Sequence, residues 1–118
     1  MSTYWIAGAN FDSIDMYPTF IIRGYWELGW GRGLKPAYDA CFDSIQKGDM
    51  VAIKRMLGQK SSNIEIRAIG KVLDKAEEGP EDSDWRIRRV YVDWIAKDMN
   101  RQVLSRGLFG TIDRKSVV

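Results

Sequence analysis

The chain has 118 residues, a length typical of one folded domain, and its 45% hydrophobic and 29% charged residues are ordinary for a globular protein. It contains one cysteine and no histidine, which excludes an internal disulfide, histidine-based catalytic relays and the usual zinc sites. The net charge of +2 is too small for the field of a strong nonspecific nucleic-acid binder, so any basic surface must form locally.

The single cysteine, Cys41, indicates a reducing compartment, and we therefore expect a cytoplasmic protein. The first residues lack the basic region and apolar stretch of a signal peptide, and no apolar run approaches the length of a membrane span. We expect one domain over residues 1–118, compatible with the N-terminal module of a longer protein. No spacing singles out a carboxylate pair or a lysine base, so we expect a binding domain without a cofactor and not an enzyme.

The first elements are predicted to be a strand and a short helix. Residues 4–8 are apolar on both faces, which is typical of a central strand. Asp15 is positioned to cap a helix over residues 16–23, with Pro18 in its first turn and Gly24 as the stop signal.

Residues 25–33 hold three glycines at every second position and are predicted to form a loop that carries Trp26 and Trp30. Each indole offers a large apolar area, and two interpretations remain open. Either the indoles fold back onto the core, or one or both form a wall of a pocket for a flat ligand. The glycine spacing differs from that of a dinucleotide fingerprint, so flexibility explains it better.

The clearest helix opens at Pro36, because proline suits the first helical position. After Gly48, Asp49 is expected to hydrogen-bond the backbone of a turn that leads into a strand over residues 50–57. The buried face of the helix is predicted from residues at i, i+3, i+4 and i+7, namely Tyr38, Cys41, Phe42 and Ile45.

The next strand is predicted over residues 64–73, where Gly70 indicates a bulge or a close backbone approach. An acidic loop is predicted over residues 74–84. The chain is then expected to end with a short helix over residues 98–106, capped by Asp98, and a strand over residues 108–112.

A long strand is predicted between these elements, over residues 85–95, with Trp94 in the core. Its apolar alternation shifts across Arg88 and Arg89, which predicts a β-bulge there. These two arginines and Arg86 lie between aromatic residues. They either contact phosphates beside stacked bases or belong to a solvated face that the acidic loop balances.

This order of elements predicts an α+β fold, with a small mixed sheet or partly open barrel and helices at one end. Its motifs, in chain order, are Tyr4-Trp5-Ile6, the Trp26 loop, Ile45-x-x-Gly48-Asp49-x-Val51-x-Ile53, Ile66-x-Ala68-Ile69-Gly70-x-Val72, Trp85 and Val92-x-Trp94-Ile95. Together they resemble the EVE/YTH group of PUA-like domains over about residues 3–112. Within that group, the pattern most resembles the N-terminal domain of McrB-type modification-dependent restriction ATPases.

The resemblance implies a PUA-like twisted sheet or pseudo-barrel of about five to six strands, flanked by short helices. It also implies an aromatic pocket for a modified base, such as a methylated base flipped out of DNA. Trp26 matches the cage tryptophan, and Asn10 is the candidate for a polar contact with the base edge. The other pocket residues implied are Ala7, Gly8 and Phe11 after the first strand, with Phe11, Trp30 or Trp85 as the second aromatic wall.

The function expected from these observations is a non-catalytic nucleic-acid reader, with DNA the more favoured partner over RNA. Cleavage would come from a nuclease or AAA ATPase, as a partner or a fused domain. The alternatives are a protein-interaction or structural domain of the same fold without a base ligand, and a fragment of an enzyme that binds a small molecule or a nucleotide. The candidate cations for the nucleic-acid backbone are Arg32, Lys35, Lys54, Arg55, Arg88 and Arg89.

Overall fold

The computed structural model describes residues 3–11, 13–30, 33–58, 61–79, 87–104 and 112–116. Residues 113–116 are described by their backbone alone. The predictions for Arg32, Trp85 and Arg86, and for most of the strand over residues 108–112, lie outside these residues. The described strands are β1 Thr3–Gly8, β2 Asn10–Phe11, β3 Ile14–Asp15, β4 Tyr25–Leu28, β5 Met50–Met56, β6 Asn63–Glu78, β7 Ile87–Ala96, β8 Arg101–Leu104 and β9 Ile112–Ser116, and the helices are α1 Tyr17–Arg23 and α2 Pro36–Ser44.

The fold is α+β, as predicted, and is built on one mixed sheet. Six strands follow the order β4-β7-β6-β5-β1-β9, and β8 pairs with the beginning of β6. Strands β1 and β5 are parallel, whereas the other pairs in the sheet are antiparallel. Strand β1 therefore lies inside the sheet, which agrees with its apolar character on both faces. Strands β2 and β3 form a separate small hairpin.

The main core lies between one face of the sheet and the two helices. Alternate residues of β1, β5, β6 and β7 point into it, as the two-residue period of strands requires. Trp94 belongs to this core, as predicted, and its indole Nε1 donates to the Phe20 carbonyl oxygen at 2.9 Å. A smaller cluster, formed by Ile6, Ala52, Ile64 and Ile66, lies on the opposite face.

Helix α1 begins and ends close to the predicted residues, and α2 begins at Pro36 as predicted but ends at Ser44, before Gly48. Gly24 ends α1 with a φ of 75°, in the left-handed region that glycine favours. The Asp15 carboxylate accepts a hydrogen bond from the Tyr17 N–H at 3.1 Å, although the residue directly before the helix is Met16. Neither helix in the described part of the chain has the length and apolar character needed to cross a membrane.

Two segments predicted as loops are strands. Tyr25–Leu28 forms β4, because Trp26 and Leu28 alternate into the core while the backbone pairs with β7. Residues 74–78, within the predicted acidic loop, continue β6 as far as Glu78. Backbone pairing with β7 stabilises this extension, with Lys75 opposite Val90, Glu77 opposite Arg88 and Glu78 opposite Ile87.

The helix predicted over residues 98–106 is also corrected, because residues 101–104 form β8. Strand β7 ends opposite Ile69, so the earlier part of β6 would have an unpaired edge. Strand β8 covers that edge by pairing Asn63–Ile66 with Arg101–Leu104, and Val103 packs against the smaller apolar cluster. Completing the sheet edge outweighs the weak helical preference of this short segment.

The predicted bulge at Arg88 and Arg89 is absent, because both residues keep a regular register with Glu77 and Ala76. The register shifts lie elsewhere, between Ile69 and Gly70 and between Val72 and Asp74. The apolar alternation breaks in the sequence, but not in the structure, because an arginine, Arg88, occupies an inward position of β7. The prediction for Gly70 is confirmed, since a Cβ atom there would lie 2.3 Å from Val92 Cγ1.

Candidate functional site

Two segments that the resemblance assigns to a base pocket lie side by side. The indole Nε1 of Trp26 donates to the carbonyl oxygen of Gly8 at 2.8 Å, which joins β4 to the end of β1. The Phe11 ring packs so closely under Gly29 that a Cβ atom at Gly29 would lie 3.1 Å from Phe11 Cε2. Residues 8–11 therefore contact the segment over residues 26–30. These two segments together are named here the β1–β4 junction.

Trp26 lies in the core and not at an open pocket. Its exposed fraction is 0%, as is that of Ala7, and both belong to the main apolar cluster. The alternation of β4 points Trp26 inward, and the hydrogen bond to Gly8 satisfies its one polar group. Of the two interpretations of Trp26, the structure therefore supports the one in which its indole folds back onto the core.

Trp30 differs from Trp26, because 39% of its surface is exposed. Its ring centroid lies 6.2 Å from that of Tyr38, at an interplanar angle of 41°, and the Lys35 Nζ lies 5.0 Å from the ring. Asn10 is exposed in β2, and Phe11 is half-buried between the main core and the surface. Trp30 and Asn10 are thus exposed, and Phe11 packs between Gly29 and Phe20.

Arg88 is a fully buried charge, with an exposed fraction of 0%. Its Nη1 donates to Asp39 Oδ1 at 2.7 Å, and its Nη2 donates to the carbonyl oxygen of Trp30. Asp39 also accepts a hydrogen bond from the Gly33 N–H at 2.8 Å. Three segments, β7, α2 and the connection from Trp30 to Gly33, therefore meet at one guanidinium and one carboxylate. Because Arg88 is fully buried, it does not make the predicted phosphate contacts.

Sequence reasoning overlooked Asp39, although two signals pointed to it. Asp39 stands in the first turn of α2, where a carboxylate interacts favourably with the helix dipole. An arginine at an inward position of a strand also requires a buried carboxylate or carbonyl partner, since an unpaired buried charge is costly. The pairing itself joins residues 49 positions apart in the chain.

The other candidate cations are placed in different ways. Lys54 is only 4% exposed, which makes it a poor surface contact. Arg89 Nε lies 3.1 Å from Glu27 Oε1, and its guanidinium lies 4.5 Å from the Tyr25 ring centroid. The exposed Arg55 pairs with Glu65 at 3.2 Å, and Lys35 is exposed beside Trp30. Of the candidates in the described part of the chain, only Lys35 is both exposed and next to an exposed aromatic ring.

A second polar cluster fixes α1 to the sheet. Arg67 donates to both oxygens of Asp15, at 3.0 and 3.1 Å, and its guanidinium lies 4.0 Å from the Tyr17 ring centroid. The hydrogen bond from Arg67 lowers the pKa of the Asp15 carboxyl. Burial raises the pKa of the Tyr17 hydroxyl, which accepts from the Asp98 N–H at 2.7 Å. Because these groups satisfy one another, the cluster is structural.

Two observations limit the chemistry of the described residues. They contain no group of three or more histidine, cysteine, aspartate or glutamate side chains placed to hold a metal ion. The carboxylate of Asp49 is engaged in structure, since its Oδ2 accepts from Trp5 Nε1 at 2.9 Å and from the Gln46 N–H at 3.0 Å. This confirms the predicted turn at Asp49, and it adds a tie to β1.

No family model matches this chain, and no curated protein matches it. Among solved structures, the crystal structure of protein PSPTO5229 from Pseudomonas syringae is similar, with 14% sequence identity and a TM-score of 0.49. The match covers 81% of this chain and 71% of that one. Similarity at this level defines neither a family nor an activity.

Proposed function

We propose that this chain is a non-catalytic nucleic-acid-binding module of the PUA-like type, which binds a modified base, such as a methylated base flipped out of DNA. The observation that carries the proposal is the exposed indole of Trp30, which lies beside a cation at the β1–β4 junction. The resemblance of the sequence to the EVE/YTH group supports the same region, because it assigns Asn10, Phe11 and the tryptophans to the base pocket.

The partial exposure of Trp30 and the cation beside it support stacking on a base. Aromatic side chains stack on nucleic-acid bases with about 1–3 kcal/mol per base, and stacking tolerates any base because each has a π face. Lys35 stands close enough to Trp30 to contact the phosphate next to a stacked base. Asn10 adds an amide that both donates and accepts, as reading a base edge requires.

The cost of base flipping sets a minimum for the binding free energy that this site must supply. Extruding a base from a duplex costs a few kcal/mol, which stacking and edge hydrogen bonds must offset. One indole and one amide come close to that cost, so tight binding also needs backbone contacts from Lys35 and from Arg32. The module would act as the specificity element of a larger assembly, and a nuclease or AAA ATPase domain or partner would carry out cleavage.

A second function, a protein-interaction domain of the same fold, is favoured by a different observation. Trp26 and Arg88 are both fully buried, and Arg89 and Arg55 are paired with glutamates, so these candidates are poorly placed to contact a nucleic acid. Large apolar side chains are exposed elsewhere, including Ile22 at 81% and Ile95 at 65%. Such side chains favour contact with another protein where they lie together.

Binding titrations separate the two functions. Labelled duplexes with methylated cytosine, methylated adenine or no modification are titrated with the wild-type chain and with Trp30→Ala, at constant salt. We expect Trp30→Ala to weaken binding about tenfold to a hundredfold, which corresponds to one lost stack. The matched control is Ile22→Ala, which truncates an exposed apolar side chain on α1 and should leave affinity unchanged.

The salt dependence tests the role of Lys35. Replacing Lys35 with glutamine should reduce the slope of log K against log salt by about one, because one phosphate contact is lost. Equal, weak binding of all duplexes, unaltered by Trp30→Ala, would reject the nucleic-acid proposal. Loss of a protein contact in Ile22→Ala or Ile95→Ala, without any nucleic-acid effect, would instead support the interaction domain.

A further inference from the structure

Arg88 places a charge at an inward position of β7, and its pairing with Asp39 does not by itself explain that placement. Arg88 occupies a position where β7 otherwise points apolar residues, Val90, Val92 and Trp94, into the core. Its Nε atom has no hydrogen-bond partner among the described residues, and its guanidinium lies 5.6 Å from the Phe42 ring centroid. Replacing a buried ion pair with apolar residues is often neutral or stabilising, so stability alone does not explain why a charge is placed here.

The contacts of Arg88 and Asp39 converge on the segment that carries Trp30. Arg88 binds the carbonyl oxygen of Trp30 itself, and Asp39 binds the N–H of Gly33. The backbone at Trp30 and the backbone at Gly33 therefore both bind to one ion pair. A carboxylate and a guanidinium have fixed planar geometries, so together they define one position for the backbone of Trp30.

From this geometry we infer that Arg88 is a positioning residue for the proposed base site: with Asp39, it holds Trp30 in the orientation that receives a base. The inference rests on the proposed function, because it assigns the purpose of the fixed indole. An indole that is already ordered binds with a smaller loss of conformational entropy, and this raises affinity without any new contact. Arg88 itself never reaches the ligand, since its side chain is fully buried.

The test uses a double variant, Arg88→Met with Asp39→Leu, so that neither charge is left buried without its partner. The chains carry fluorotryptophan, which gives a separate fluorine NMR signal for each indole. The signal of Trp30 is assigned by its loss in Trp30→Phe. We expect the double variant to remain folded, with a more mobile and more solvent-accessible Trp30, and to bind modified duplex about tenfold more weakly. The signal of the core residue Trp94 is the internal control and should stay unchanged.

Each outcome decides a separate point. An unchanged Trp30 signal in the double variant would overturn the positioning role, whatever the affinity. A mobile Trp30 with undiminished affinity would overturn it as well, because the orientation would then not matter for binding. If the wild-type chain binds no nucleic acid, the proposed function fails, while the Trp30 signal still decides whether the ion pair holds the indole. Arg88→Lys adds a check, because it keeps the charge but lacks the planar guanidinium. We expect Trp30 in this variant to be nearly as mobile as in the double variant.

Discussion

The contrast between Trp26 and Trp30 gives the sharpest test of how the β1–β4 junction is built. The two indoles are four residues apart, yet Trp26 is 0% exposed and Trp30 is 39% exposed. Replacing each with alanine should therefore affect different properties of the protein. Trp26→Ala should reduce the free energy of unfolding strongly, whereas Trp30→Ala should reduce it little and act on ligand binding.

The magnitude for Trp26 comes from its burial and its hydrogen bond. A buried indole removes about 200 Å² of surface from water, which at about 25 cal/mol per Å² corresponds to about 5 kcal/mol. Measured substitutions of buried tryptophan by alanine cost about 3–5 kcal/mol, in agreement with that value. The bond to the Gly8 carbonyl contributes about 1 kcal/mol of the total. For Trp30, we expect a loss of about 1 kcal/mol or less.

Urea denaturation followed by far-ultraviolet circular dichroism measures both effects. Because domains of this size are stable by about 5–15 kcal/mol, Trp26→Ala could leave too little folded protein to analyse, and Trp26→Phe is the milder variant. Trp26→Phe keeps an aromatic ring but loses the bond to Gly8, so it should cost about 1–2 kcal/mol. If Trp26→Ala unfolds at the same urea concentration as the wild type, Trp26 is not a core residue and the placement of β4 is refuted.

Three further predictions concern other parts of the fold. Gly70→Ala should destabilise the domain by about 1–3 kcal/mol in urea melts, because its Cβ atom would lie 2.3 Å from Val92 Cγ1; a neutral effect would contradict the close approach of β6 and β7. Asp49→Ala removes the acceptor of an indole N–H and a backbone N–H and should cost about 1–3 kcal/mol, whereas a cost near zero would show that water replaces it. Because Arg67 lowers the pKa of Asp15 in the folded state, the ion pair stabilises the fold above the ordinary aspartate pKa of about 3.9 and loses this effect as pH falls through the lowered value. The difference in unfolding free energy between the wild type and Asp15→Asn, less than about 1 kcal/mol at this exposed site, should therefore be constant near neutral pH and vanish in acid; a difference that grows in acid would contradict it.

Local signals in the sequence were sufficient for the elements that depend on neighbouring residues. Apolar spacing and helix-end residues gave α2 and its buried face, and Gly24 ended α1 as expected. The apolar run after Thr3 identified an interior strand, and Gly70 marked a close approach of two strands. Each of these features follows from the backbone geometry or the periodicity of a single segment, which is why one segment of sequence reveals it.

Pairing between distant segments decided the elements that the sequence missed. Tyr25–Leu28 is a strand because β7 accepts it as an edge, and residues 101–104 form β8 because the beginning of β6 needs a partner. Residues 74–78 extend β6 because their backbone pairs with residues 87–91 of β7. The partners of β4 and β8 are distant in the chain, so local propensity alone favoured a loop and a helix there.

The same division applies to the candidate site. The sequence by itself determined the residue types, namely a tryptophan pair, an amide after the first strand and arginines in the last long strand. Only the tertiary structure decided which tryptophan is exposed and which arginine is buried. The inward period of β4 takes Trp26 into the core, and Asp39 draws Arg88 away from the surface to hold the backbone of Trp30. Burial is a property of the assembled chain, since it depends on which surfaces meet, and no residue carries that information alone.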